Sequence, residues 1–155
     1  MRSLSLLVRT LLVLASIPWG LPVALIGQQC DGTLWSHVYH QTRFAVLKSC
    51  VTVSGTIASA KAEPDGDVHI RLRLDPPYSS MLNGANVSQQ GGNLVIEPIC
   101  FSTPTQTDAI PACGAFRQHI QIPAVGTHVI VTGAFVLDQQ HGWNEMHPIT
   151  GMAVR

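Results

Sequence analysis

The sequence predicts a small all-β protein with minor helix, in which five strands close into a barrel behind an apolar N-terminal segment. Three observations carry that expectation. Apolar and polar residues alternate without a break from Asp67 to Asp75, the period of a half-buried strand. Gly55 and Gly133 interrupt two other strand-like runs, where a tightly coiled sheet has to bend. Turn chemistry at Pro64-Asp65-Gly66-Asp67 joins the first two strands as a hairpin.

The elements follow in chain order. Arg2 and Arg9 precede a charge-free run from Leu11 to Gly27, rich in Leu, Val, Ile and Ala. A basic start, an apolar middle and a polar continuation describe a signal peptide or an N-terminal membrane anchor over residues 1–27. The run is at the lower limit for a spanning helix, about 17 residues. Pro18 and Pro22 interrupt it, and no clean cleavage site marks its end. Cleaved signal and retained anchor both stand. Residues 28–49 have no clean period and read as an irregular arm packed on the barrel domain, residues 50–155.

Four cysteines, Cys30, Cys50, Cys100 and Cys113, all follow the apolar segment. An even number in an exported domain reads as two disulfides. Local closure favours Cys30–Cys50 and Cys100–Cys113, each worth roughly 3 kcal/mol in the chain-entropy model for a loop of about 15 residues. A zinc cluster is the weaker reading, because no pair of cysteines has the close spacing of zinc ligands.

Val51, Val53 and Ile57 begin the first strand, with a bulge or sharp bend expected at Gly55. The second places Val68, Ile70, Leu72 and Leu74 toward the core and Asp67, His69, Arg71, Arg73 and Asp75 outward, until Pro76-Pro77 stops it. Tyr78 to Gln90 reads as loop or short helix. Asn93 to Cys100 gives the third strand. A short helix near Thr105–Ile110 and an extended piece at His119–Ile122 precede the fourth, His128 to Leu137. The fifth runs from Trp143 to about Val154. Five short strands with a helical insertion between the third and fourth match an OB-like barrel. An open β-sandwich is the runner-up.

Charge narrows the ligand. Without Arg2 and Arg9 the chain has seven basic and nine acidic residues. A nucleic-acid partner is not expected, because phosphate neutralisation calls for a basic excess.

A resemblance joins these elements. Ser36-His37-Val38-Tyr39-His40, Cys50-Val51-Thr52-Val53-Ser54-Gly55, Pro64-Asp65-Gly66-Asp67-Val68-His69-Ile70 and Leu74-Asp75-Pro76 carry its first half. Leu94-Val95-Ile96-Glu97, Gly126-Thr127-His128-Val129, Val131-Thr132-Gly133 and His141-Gly142-Trp143, with Glu145 and His147-Pro148, carry the second. From Trp35 to Val154 the chain resembles an uncharacterised family of exported prokaryotic proteins with an OB-like barrel and a C-terminal HGWxE(I/M)HP motif. Met146 stands where that pattern favours Ile, a conservative change. The resemblance implies a fold and an extracytoplasmic address, and no activity.

The candidate site residues lie on the outward faces of the second and fifth strands. His69, Arg71, Arg73, Trp143, Glu145 and His147 suit a ligand-contact surface, with the indole as a stacking platform and the others as hydrogen-bonding groups. Together they describe a secreted or tethered binding module for a sugar, a peptide or a protein partner. No cofactor is expected on this reading and no residue is assigned a catalytic role.

The alternative is a metal-dependent hydrolase in which His69, Glu145 and His147 hold a divalent ion such as zinc. It requires the second and fifth strands to approach each other, whereas the first strand is expected between them. A third reading makes Glu145 and His147 a hydrogen-bonded latch beneath Trp143. Asp65-Gly66-Asp67 with Arg71 and Arg73 also superficially resembles the acidic and arginine motifs of thermonuclease-type enzymes. The spacing is wrong for that family, since an intervening strand is missing.

Overall fold

The structure is a computed structural model and describes residues 30–155. The segment 1–27 expected to be a signal or anchor lies outside the described residues. Among those described, no helix is long and apolar enough to cross a membrane. The chain forms a five-stranded mixed sheet: β1 (Phe44–Ala62), β2 (Val68–Leu74), β3 (Leu94–Ile96), β4 (His128–Asp138) and β5 (Asn144–Val154). Hydrogen-bonded neighbours run β1-β2-β3-β5-β4 and return to β1, so the sheet closes. Every pairing is antiparallel except β3 with β5.

The strand order corrects one expectation with consequences for the site. It is β3, not β1, that separates β2 from β5. Register then sets Arg71, Val95 and Glu145 side by side across three strands.

β1 also begins earlier than expected. Phe44 to Ser49, read as part of the arm, pair with β4 from Phe44 opposite Asp138 onward. Their apolar pattern is irregular because the register slips between Val46 and Val51. The expected bulge at Gly55 lies instead at Ile57/Ser59. Gly55 marks a close approach, since a Cβ there would run into the Arg73 carbonyl. Gly133 does mark an irregularity, between β4 and β5, and a Cβ on it would sit 2.7 Å from Pro148 O and Ile149 Cα. His119–Ile122 belongs to no strand.

Inside the barrel, Val53, Ile57, Ile70, Leu72, Leu94, Ile96, Val129, Val131, Met146 and Ile149 form the core. Burying each such side chain contributes about 1.5–3 kcal/mol. A second apolar cluster lies outside, where Leu34, Val38 and Phe44 pack on Ile99, Ala134 and Val136. The N-terminal arm thus covers the outer face of β4, which explains why β4 is buried continuously from Val131 to Val136 instead of alternating.

Both expected disulfides form, Cys30–Cys50 and Cys100–Cys113, each with Cα atoms 5.5 Å apart. No cysteine is free. Between β2 and β3 lies α1 (Gly84–Gln89), capped by Asn83, which accepts from the Ala85 and Asn86 amides. Buried Asn86 ties that helix to the start of β5, donating to Asn144 O at 2.8 Å and accepting from Asn144 N at 3.0 Å. A second short helix, α2 (Ile110–Cys113), lies between β3 and β4.

Candidate functional site

The site is built on the outer face of β2, β3 and β5. One residue pair beyond the Arg71–Val95–Glu145 row, the same alternation brings His69, Glu97 and His147 together. Glu97 is the centre. Its Oε1 accepts from His69 Nδ1 at 2.8 Å and its Oε2 from His147 Nδ1 at 2.9 Å. The carboxylate is fixed because Glu97 N donates to Met146 O and its carbonyl accepts from Ile149 N, each at 3.0 Å.

Donor logic assigns the charge of His69. Arg71 Nε has only a proton to offer, so Gln90 Oε1, at 2.8 Å, is an acceptor. His69 Nε2 faces that same oxygen at 3.2 Å and therefore donates as well. With both ring nitrogens donating, the ring is an imidazolium. Burial opposes that charge, but the hydrogen bond and negative charge of Glu97 raise the His69 pKa above its ordinary value.

His147 lies deeper, 1% exposed, with its ring stacked on Phe44 at 4.5 Å between centroids. Its Nδ1 is also 3.4 Å from Glu145 Oε1. Burial disfavours the cation, yet the bonds and charges of Glu145 and Glu97 push His147 up to about 10. For Glu97, burial alone would hold the proton on. Hydrogen bonds from the two imidazoles overcome it and hold the carboxyl well below its ordinary range. Glu145 moves the other way, raised by burial and by the charge of Glu97.

Asp67 was expected to face outward from the hairpin. It is instead 3% exposed, because its Oδ1 accepts from the Cys100 amide at 2.6 Å and is drawn under the loop after β3. Burial pushes Asp67 up to about 7, with Asp65 and Glu97 adding to the effect and His147 opposing it.

Trp143 precedes β5, whose first residue is Asn144, and is half-buried. Its Nε1 donates to Glu145 Oε2 at 2.8 Å. His141 stacks on the indole at 4.4 Å, and His69 meets it edge-on at 6.2 Å. The platform anticipated from sequence is therefore covered on one face and satisfied at its polar tip. The HGW turn is held in place by Asp138, whose Oδ2 lies 2.8 Å from His141 Nδ1 and 3.3 Å from Arg43 Nε.

Above this cluster opens a pocket of about 500 Å³, with His69, Arg71, Glu97, Trp143 and Glu145 in its wall. Lys61 and Ser59 from β1, Glu63 and Asp65 from the hairpin turn and Arg43 from the arm side are among the residues of the rim. Arg71 donates only to Gln90 and to Gln89 O, and among the described residues no carboxylate pairs with its guanidinium. Arg73, also expected here, is exposed and does not line the pocket.

The ligand set His69, Glu145 and His147 is not brought together for a metal. His69 and His147 direct their Nδ1 atoms at opposite oxygens of one carboxylate, and that carboxylate fills the space between them. Among the described residues, the groups with donors within 4.8 Å of one another are Asp67–Glu97–His147 and Asp67–Cys100–Cys113. In the second, the sulfurs are locked in a disulfide.

Histidines of the arm stand apart. His37 stacks on Phe116 at 4.1 Å and faces Ala112 O, and His40 stacks on Tyr39. Glu97 and Gln90, which organise the site, were not anticipated. The available signal was a carboxylate ending an otherwise apolar strand, Leu94-Val95-Ile96-Glu97. No family model matches the chain, and no curated protein or solved structure matches it either.

Proposed function

We propose that this chain is an extracytoplasmic, OB-like binding module whose pocket takes a polar ligand of the sugar or peptide class bearing an acidic group. The observation that carries the reading is Arg71. It is a half-buried residue of the pocket wall whose guanidinium has no carboxylate partner among the described residues and which lies beside the cationic His69, whereas Lys61 on the same rim is paired with Glu63. A carboxylate or similar anion placed against it would complete a charge-assisted bond of the kind arginine forms readily. The strand order and the lining of the pocket by His69 and Arg71 of β2, with Glu97 just after β3, support the OB-like reading, since such barrels commonly bind ligands on the face of strands two and three. Two disulfides and the apolar N-terminal run support export to an oxidising compartment.

The test is a titration of the full-length chain with uronic-acid oligosaccharides and with short peptides ending in a free carboxylate. The indole resonance of Trp143 serves as reporter. A saturable shift with one class, weakened at least tenfold by Arg71→Ala, is expected. A shift of equal midpoint in Arg71→Ala, or none with either class, would remove the proposal. The hydrolase alternative loses its sequence-derived ligand set and is not carried forward on His69, Glu145 and His147.

A further inference from the structure

We propose that Asp67, Glu97 and His147 form a divalent-cation site beneath the pocket floor. Donor atoms of these three side chains lie within 4.8 Å of one another, on residues 3%, 7% and 1% exposed. The independent observation is His147 Nε2, a buried ring nitrogen with no hydrogen-bond partner. It faces Asp67 Oδ2 across 3.9 Å, too far for a hydrogen bond. An ion about 2.0–2.1 Å from each atom spans such a gap and takes the place of the Nε2 proton, which is released on binding.

The opposite edge of the ring is already arranged for that task. Glu145 Oε1 lies 3.4 Å from Nδ1 and supplies the carboxylate on the far nitrogen by which metal-binding imidazoles are generally oriented, so Glu97, now 2.9 Å from Nδ1, would let go of the ring and turn to the ion. Charge points the same way. Asp67, Glu97 and Glu145 are all buried, facing His69 and His147, and Glu145 Oε1 also lacks a hydrogen-bond partner. Asp65, at the pocket rim, adds a further negative group.

Cys100 and Cys113 lie close to Asp67 but are joined to each other, so the available donors are one nitrogen and carboxylate oxygens. That set suits zinc, manganese or ferrous iron better than the soft, thiolate-seeking ions. Glu97 and Asp65 line the pocket, which supplies an entry route and solvent to complete the coordination. The site differs from the sequence-derived one in two of its three residues and needs no ligand in the pocket, so it stands or falls separately from the proposed binding function.

The experiment uses full-length chain stripped with chelator and titrated calorimetrically with Zn²⁺ alone, then with Mn²⁺ alone. One ion per chain is expected, with affinity reduced at least tenfold in Asp67→Asn and in His147→Gln and unchanged in His119→Ala, an exposed histidine elsewhere. X-ray absorption of the zinc-loaded wild type gives a second measurement should either variant fail to fold. A shell of one imidazole with oxygen donors is expected. Absence of saturable binding, undiminished binding in Asp67→Asn, or a shell of two or more imidazoles would overturn the site.

Discussion

Replacing Glu97 by glutamine keeps the shape of the side chain and removes the charge that holds two imidazolium rings. In the wild type both oxygens accept, at 2.8 Å from His69 Nδ1 and 2.9 Å from His147 Nδ1. An amide offers one acceptor and one NH₂ group, so one of the two rings would face a donor with its own N–H. That ring has to give up its proton or its place. Breaking a buried ion pair by neutralising one partner costs about 3–5 kcal/mol. The lower end applies here, since His69 retains Gln90 and His147 retains Glu145 at 3.4 Å.

Urea unfolding of wild type and Glu97→Gln, with chelator present and disulfides intact, should show a loss of about 3 kcal/mol. Imidazole titrations followed by NMR should move downward for both His69 and His147. A loss under about 1 kcal/mol with both titrations unmoved would show that Glu97 does not organise the cluster, and the account of the site would be wrong.

Other expected outcomes follow from the same coordinates. Gly133→Ala forces a Cβ to within 2.7 Å of backbone at Pro148 and Ile149, and overpacking of this kind costs about 1–3 kcal/mol; Gly32→Ala, with nothing within 4 Å, should change the urea midpoint negligibly. Replacing both Cys100 and Cys113 by serine opens a loop of sequence separation 13 and should lower stability by about 3 kcal/mol, seen as a reduced melting temperature. In chelator, stability should peak on the acid side of neutrality. Glu97 contributes above its ordinary value of 4.5 and loses that contribution as the pH falls. Asp67, raised from 3.8 to about 7, subtracts stability across that interval, and His147, raised from 6.5 to about 10, loses its contribution as pH rises between those values. Urea midpoints that stay flat or rise from pH 6.5 to 10 would contradict the His147 assignment.

Much of the barrel was legible because its signals are local. β2 occupies the residues that alternation marked, Val68–Leu74, and each disulfide joins the cysteines closest along the chain. The start of β1 was hidden because Phe44–Ser49 pair through a slipping register, and a slip destroys the period of two. β4 was legible as a strand, but the burial of both its faces was not, because the arm covers its outer face, a contact between distant segments that no window of sequence records. The site was legible in its residues but not in its arrangement. His69, Glu145 and His147 were found one by one, whereas Glu97 becomes important only once β3 is placed between β2 and β5. Asp67 was misplaced for a similar reason, its burial depending on the Cys100 amide 33 positions away.

β3 has only three residues, yet it is the one slat through which β2 and β5 are joined. Just past its end, the amide and carbonyl of Glu97 continue the lacing to Met146 and Ile149, and Pro98 O accepts from Val68 N. The residue that gathers the imidazoles is therefore also a stitch in the shortest seam of the cylinder. Whatever loosens its carboxylate should unzip that seam first, so hydrogen–deuterium exchange at the amides of Glu97 and Ile149 would register occupancy of the site before any distant part of the molecule does.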